Sequence, residues 1–141
     1  MAKRNLTELK IPADTEFIPV AKRVANTLGS RLGFGLTELD ELSIAVTQAC
    51  DSAIDASQEA WGGGATLKLT YFATDRGVEV VVEAVGPRSP QALPRPHLRV
   101  HDEEMQRLSQ EMIRMFVDDF RSQVDAGSGL VRFRMVKYLI G

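Results

Sequence analysis

Cysteine is almost absent from this chain. Among 141 residues only Cys50 carries a thiol, so neither a disulfide framework nor a cysteine-based metal site can be assembled. Long hydrophobic runs are missing too: no apolar segment approaches the roughly 18 residues that crossing a bilayer takes. Met1-Ala-Lys-Arg-Asn5 has no apolar stretch behind it, which argues against secretion and for a cytoplasmic protein away from membranes. Nor is there a surplus of positive charge. Seventeen Lys and Arg stand against 19 Asp and Glu, a net charge of −2, so direct contact with nucleic acid is not expected. His97 and His101, beside Asp102 and Glu103, offer imidazole and carboxylate at short spacing, but in a proline-rich setting they need not converge and no metal is expected. No Ser-His-Asp or Cys-His set surrounds either histidine, which leaves hydrolase chemistry without support.

What is present reads as one domain over residues 1–141, long enough for a single core. Thr7 to Ala13 alternates apolar and polar side chains up to a proline, predicting a short strand at or near a sheet edge. A first helix follows, with Pro19 in its first turn, Val20, Val24, Leu28 and Leu32 at helical spacing, and Gly33 and Gly35 as the stop. Its exposed side carries Lys22, Arg23 and Arg31. Thr37-x-x-Asp40 resembles a capping box and opens a second helix running to about Trp61. Gly62-Gly63-Gly64 then breaks it; no Lys-Ser/Thr follows, so the triplet reads as a terminator and not as a phosphate loop.

Residues 65–74 and 77–86 alternate well and are separated by Asp75-Arg76, predicting a hairpin with Gly77 at positive φ. Four prolines between Pro87 and Val100 predict a long surface loop. A third helix is predicted from about His101 to Val124, with Met105, Leu108, Met112, Met115, Phe116 and Phe120 on one side and its methionines filling the core. Gly129 to Ile140 alternates Val131, Phe133 and Met135 against Arg132 and Arg134 and supplies a last strand. The order β-α-α-β-β-α-β predicts an α+β two-layer sandwich, its sheet mixed or antiparallel and its helices on one face.

The second helix is the most informative element. Leu42, Ala45, Val46, Ala49, Ala53 and Ala56 form a stripe of mostly small apolar residues that lets the helix approach a sheet closely. Elsewhere on its circumference Gln48, Ser52, Asp55 and Glu59 recur at i, i+4, i+7 and i+11, along one polar face.

Within that helix Thr47-Gln-Ala-Cys-Asp-Ser-Ala-Ile54 resembles the S-E-A-C-T-N-A-[VI] motif of the bacterial anti-sigma factor kinases, a branch of the ATP-binding superfamily shared by gyrase, histidine kinases and mismatch-repair ATPases. The resemblance covers nearly the whole chain. Met112-Ile-Arg-Met-Phe-Val-Asp-Asp119 is similar to the family's L-I-R-x-L-M-D-E, and Gly127-Ser-Gly-Leu-Val-Arg-Phe-Arg-Met-Val-Lys137 to its G-T-T-V-R-x-x-K ending. It implies the histidine-kinase-like ATPase fold, a sigma factor or an anti-anti-sigma antagonist as partner, and a homodimer, for which the first strand could pair across an edge. It also implies Lys22 and Arg23 as partner-binding residues.

Measured against that family, the positions that handle ATP are altered. The family glutamate, which orients the attacking group beside the γ-phosphate, falls on Gln48, and an amide cannot be a general base. The family asparagine, a Mg²⁺ ligand, falls on Ser52, whose hydroxyl is shorter. The D-x-G-x-G segment aligns with Ala84-Val-Gly-Pro-Arg88: a methyl replaces the adenine-reading carboxylate, Gly86 is kept, and Arg88 stands in place of the second glycine. Counting back from Met112 puts Arg107 and Ser109 at the glycines of the phosphate turn. Gln48, Ser52, Ala84, Gly86 and Arg88 are therefore expected to line a degenerate nucleotide pocket with weak or no ATP binding, no cofactor and no catalytic residue. The alternative is an active serine/threonine kinase using Mg²⁺ and ATP through rearranged ligands such as Asp51 or Asp55.

Overall fold

Alternation along the strands decides which side of the sheet is dry. In the computed structural model, which describes residues 3–87, 100–125 and 130–139 (backbone alone at 100–103 and 125), Leu67, Leu69, Tyr71, Val78, Val80, Val82, Phe133 and Met135 are all at 0 % exposure. They come from β2 (Thr66–Ala73), β3 (Gly77–Val85) and β5 (Leu130–Tyr138) and share one face. β1 (Arg4–Pro12) and β4 (Asp119–Asp125) form the two edges, in the order β1-β2-β3-β5-β4, and every neighbouring pair is antiparallel. Among the described residues three α-helices cover the dry face: α1 (Ile18–Arg31), α2 (Leu36–Trp61) and α3 (Val100–Phe116). The result is an α+β two-layer sandwich with an antiparallel sheet.

α2 is the central helix, flanked by α1 and α3. Its stripe of Leu42, Ala45, Val46, Ala49 and Ala53 is fully buried against the sheet. Each large apolar side chain buried there contributes about 1.5–3 kcal/mol, and the alanines contribute mainly by bringing the backbone close. The helix begins one residue before the predicted Thr37, and the capping acid is Glu38, not Asp40: Glu38 Oε1 accepts from the Gly35 amide at 2.7 Å. It ends at Trp61 because Gly62 takes φ 78°, where a side chain would be strained.

On α1 the sequence pattern misplaces the buried stripe. Ile18, Ala21, Ala25 and Gly29 face the core, whereas Val20 is 42 % exposed and Val24, Leu28 and Leu32 are half-buried. Small residues win because α1 must pass close enough to the sheet for the Tyr71 hydroxyl to donate to the Ala21 carbonyl at 3.0 Å. Burial pushes the Tyr71 phenol well above its ordinary pKa.

The third helix is shorter than predicted. It stops at Phe116, and Asp119–Asp125, expected to be helical, is strand β4. β5 ends the helix in two ways: Lys137 Nζ donates to the Phe116 carbonyl at 2.9 Å, and the Asp118 amide donates to the Val136 carbonyl at 2.9 Å. Phe120 then turns inward to stack on Phe133, with ring centroids 5.9 Å apart. The methionines expected in the core are mostly outside it: Met105 is 59 % and Met115 74 % exposed. Gly77 does not take positive φ; it is needed because a Cβ there would collide with the Lys137 carbonyl.

Gly77→Ala is therefore expected to cost about 1–3 kcal/mol, read as a lower urea midpoint at unchanged slope. Gly63→Ala, with nothing within 4 Å of the new methyl, is the neutral control. Burial, with the Asp51 charge adding to it, pushes the Cys50 thiol from its ordinary 9.0 up to about 12. The native state thus favours the neutral thiol; the stability this gives is complete below pH 9 and is lost as pH rises through about 12. The urea midpoint should fall in that window, and native Cys50 should react with Ellman's reagent at least about 100-fold more slowly than in denaturant.

Candidate functional site on the polar face of helix α2

The polar row of α2 is roofed by α3. Ser52 is 5 % exposed, and its hydroxyl lies 2.6 Å from that of Ser109. Ser109 donates onward to Gln48 Oε1 at 3.3 Å, so the Ser52 hydroxyl must donate to Ser109, giving a relay Ser52 → Ser109 → Gln48. Gln106 Nε2 closes the same seam by donating to the Ser52 carbonyl at 3.3 Å. Asp55 and Glu59, further along the row, are half-buried and also engaged. The side chains of Gln48, Ser52 and Ser109, which a ligand would otherwise meet, are thus tied into helix packing.

The sheet end of the predicted pocket has its own local causes. Ala84 is 8 % exposed on the helix side of β3, between Leu67 and Val131 in register, and brings a methyl without hydrogen-bonding capacity. Gly86 packs beneath Trp61, the last residue of α2; a Cβ there would sit 2.8 Å from the indole ring. Packing alone therefore accounts for this glycine. Arg88 lies outside the described residues, as do His97, most of the loop expected over 87–100 and residues 127–129, and of His101, Asp102 and Glu103 only the backbone is described. Among the described residues no three His, Cys, Asp or Glu side chains converge on a metal position.

Lys22 and Arg23 are exposed on α1, across α2 from Ser109, so the structure does not bring them together with Gln48 and Ser52. Arg107, the other residue at a glycine position, is exposed on α3. Sequence reasoning set Ser109 at a glycine of the phosphate turn without its role as bridge, and did not single out Gln106, which acts as clamp. Their spacing of three was the available signal, since it puts both on one side of α3.

A second polar cluster lies on the opposite face of the sheet. Glu79, 1 % exposed, takes Lys3 Nζ at 2.9 Å and Arg134 Nη2 at 2.9 Å, and Arg134 Nη1 reaches Asp119 at 3.2 Å. Burial works against the Arg134 charge, but the hydrogen bonds and charges of Glu79 and then Asp119 more than offset it, and its pKa is raised. These four residues border an open cavity of about 320 Å³.

A five-stranded antiparallel sheet under three helices is consistent with the histidine-kinase-like ATPase fold. No family model matches the chain. It is similar to curated proteins named serine-protein kinase RsbW. In Halalkalibacterium halodurans the identity is 28 % over 79 residues, covering 56 % of this chain and 47 % of the relative. In Bacillus subtilis it is 32 % over 80 residues, covering 56 % and 49 %. A protein of the same name from Bacillus licheniformis is 24 % identical over 145 residues, covering 94 % of this chain and 84 % of the relative. The chain thus spans about half the length of the first two relatives.

Ser109→Ala should cost about 1–2 kcal/mol by stranding the buried Ser52 hydroxyl. Adding Ser52→Ala should cost less than the sum of the single changes, and a double-mutant cycle from urea denaturation would read the coupling.

Proposed function

We propose that this chain is an anti-sigma-factor-like regulator that acts by binding proteins in transcription or stress-response control, with weak or no ATP binding. The observation that carries this reading is the Ser52–Ser109–Gln48 relay. The resemblance would assign proton handling to position 48 and a magnesium ligand to position 52. Here the first is an amide, the second is a hydroxyl 5 % exposed, and both are hydrogen-bonded to α3. Ala84 leaves an adenine amine unpaired, a loss of about 1–3 kcal/mol. This donor set does not fit a magnesium nucleotide, and no reaction step is assigned to one.

Similarity to the RsbW proteins supports the regulatory side of the reading. Under it the chain is one cytoplasmic domain that binds a sigma factor or an anti-anti-sigma antagonist, pairs as a homodimer, and uses Lys22 and Arg23 in partner contact. Both side chains are exposed, as such a role needs. A second reading has one observation in its favour, the name serine-protein kinase that those relatives carry. In it, Asp51 or Asp55 would replace the missing carboxylate and Mg-ATP would be bound.

Calorimetry with Mg-ATP, together with binding assays against the sigma factors and antagonist domains of the same genome, separates the two. The regulator should give no heat at about 1 mM nucleotide and yet bind a partner, with Lys22→Glu/Arg23→Glu weakening that complex about tenfold or more. Micromolar nucleotide affinity with phosphate transfer to a serine would establish the kinase instead.

A further inference from the structure

Beside the polar row, α3 exposes an apolar seam that no other element among the described residues covers. Met105, Leu108 and Met115 are 59 %, 54 % and 74 % exposed, and Met112 is half-buried between them. Their spacing of three, four and three residues is that of a helix seam that packs on another helix. α2 extends the surface through Ile44, 39 % exposed and one turn before Gln48, whose contact with Ser109 sets this side of α2 against α3. Single exposed apolar residues need no explanation, but a row of them along one helix face marks a surface that is covered in use.

The charges flanking the seam select the cover. Glu104 and Glu111 precede Met105 and Met112 on α3, and Asp51 stands seven residues after Ile44 on α2. All three are exposed, and none is in an ion pair among the described residues. Arg107 and Arg114 lie further round α3, the latter 5.1 Å over the Phe120 ring and so turned toward β4. A second copy docked seam to seam would set Glu104 and Glu111 against their own counterparts, and an acidic rim repels an anionic lipid surface. A helix with Lys or Arg beside its apolar stripe meets the opposite charge on both sides, and unbranched methionines adapt to its shape.

We infer that the seam of Met105, Leu108, Met112 and Met115, with Ile44, is a docking surface for a cationic amphipathic helix of another protein. It is distinct from Lys22 and Arg23 on α1, and it stands whether or not the chain is an anti-sigma regulator or binds ATP.

The test uses two synthetic helical peptides of roughly 18 residues with leucines at i, i+3, i+4 and i+7, one carrying lysines and the other glutamates at the remaining positions. The full chain is titrated with each while its methionine methyl signals are followed. The lysine peptide should shift Met105, Met112 and Met115 but not Met135, which is at 0 % exposure, and should bind at least about tenfold tighter than the glutamate peptide at low salt. Leu108→Asp should weaken it about tenfold or more; a purely electrostatic association would instead be strengthened by the added charge. Glu104→Lys/Glu111→Lys should reverse the preference between the peptides. Circular dichroism would verify folding, which substitutions at exposed positions should leave intact. Equal binding of both peptides, shifts confined to other residues, or no binding at about 1 mM would overturn the inference. So would a concentration-dependent dimer abolished by Leu108→Asp, or capture of the chain by anionic vesicles.

Discussion

Everything in this fold is arranged around the close seating of α2 on the sheet. Ala45, Ala49 and Ala53 lie fully buried on α2, which packs on β3 and β5, whose Val80, Val82 and Phe133 are also at 0 % exposure, and side chains larger than methyl at these positions would lift the helix away. Once that distance is set, the rotation of α2 is set too, and with it the direction of the Gln48–Ser52 row. Lys137 then ties the layers together: from β5 it reaches Glu41 on α2 at 3.2 Å and the last carbonyl of α3 at 2.9 Å. A cation at a helix C-terminus is favoured by the helix dipole, so the same group caps α3 and fixes its end beside α2.

The row that α2 presents becomes an interior seam because α3 brings side chains to meet it. A glycine at position 109 would leave the Ser52 hydroxyl without this partner; a serine closes the gap through two hydrogen bonds. At the other end Gly86 serves Trp61, whose ring occupies the space a Cβ would need. Both ends of the candidate pocket thus follow packing rules that operate without any ligand. The apolar side of α3 shows the reverse arrangement, with large side chains left in solvent between acidic residues.

The open face of the sheet depends on charge where the helical face depends on apolar burial. Glu79 sits mid-strand at 1 % exposure, and removing such a carboxylate from water is costly unless cations are close on more than one side. Lys3 and Arg134 provide them from β3's two flanks, Lys3 lying 4.3 Å over the Phe72 ring and Arg134 standing on β5. The N-terminal residues are thereby drawn onto the sheet.

Periodicity in the sequence by itself determined the fold class, the extent of α2, the β2–β3 hairpin and the last strand, because those segments repeat a single period over enough residues to exclude the other. It also determined which chemical groups stand at positions 48, 52 and 84. It misread Asp119–Asp125, where Phe120 continues the apolar side of α3 at helical spacing and also fits strand alternation; contacts made by Lys137 and Val136, far along the chain, decide between them. It misassigned the methionines and the stripe on α1 for a related reason: helical spacing identifies an apolar side without saying which part of it another element will reach. Only the tertiary structure decided that Ser109 meets Ser52 and Gln48, that Gly86 belongs to Trp61 and that Glu79 is paired across strands. Each of these joins residues distant in sequence, and the distance and angle between two packed elements are set by the whole core.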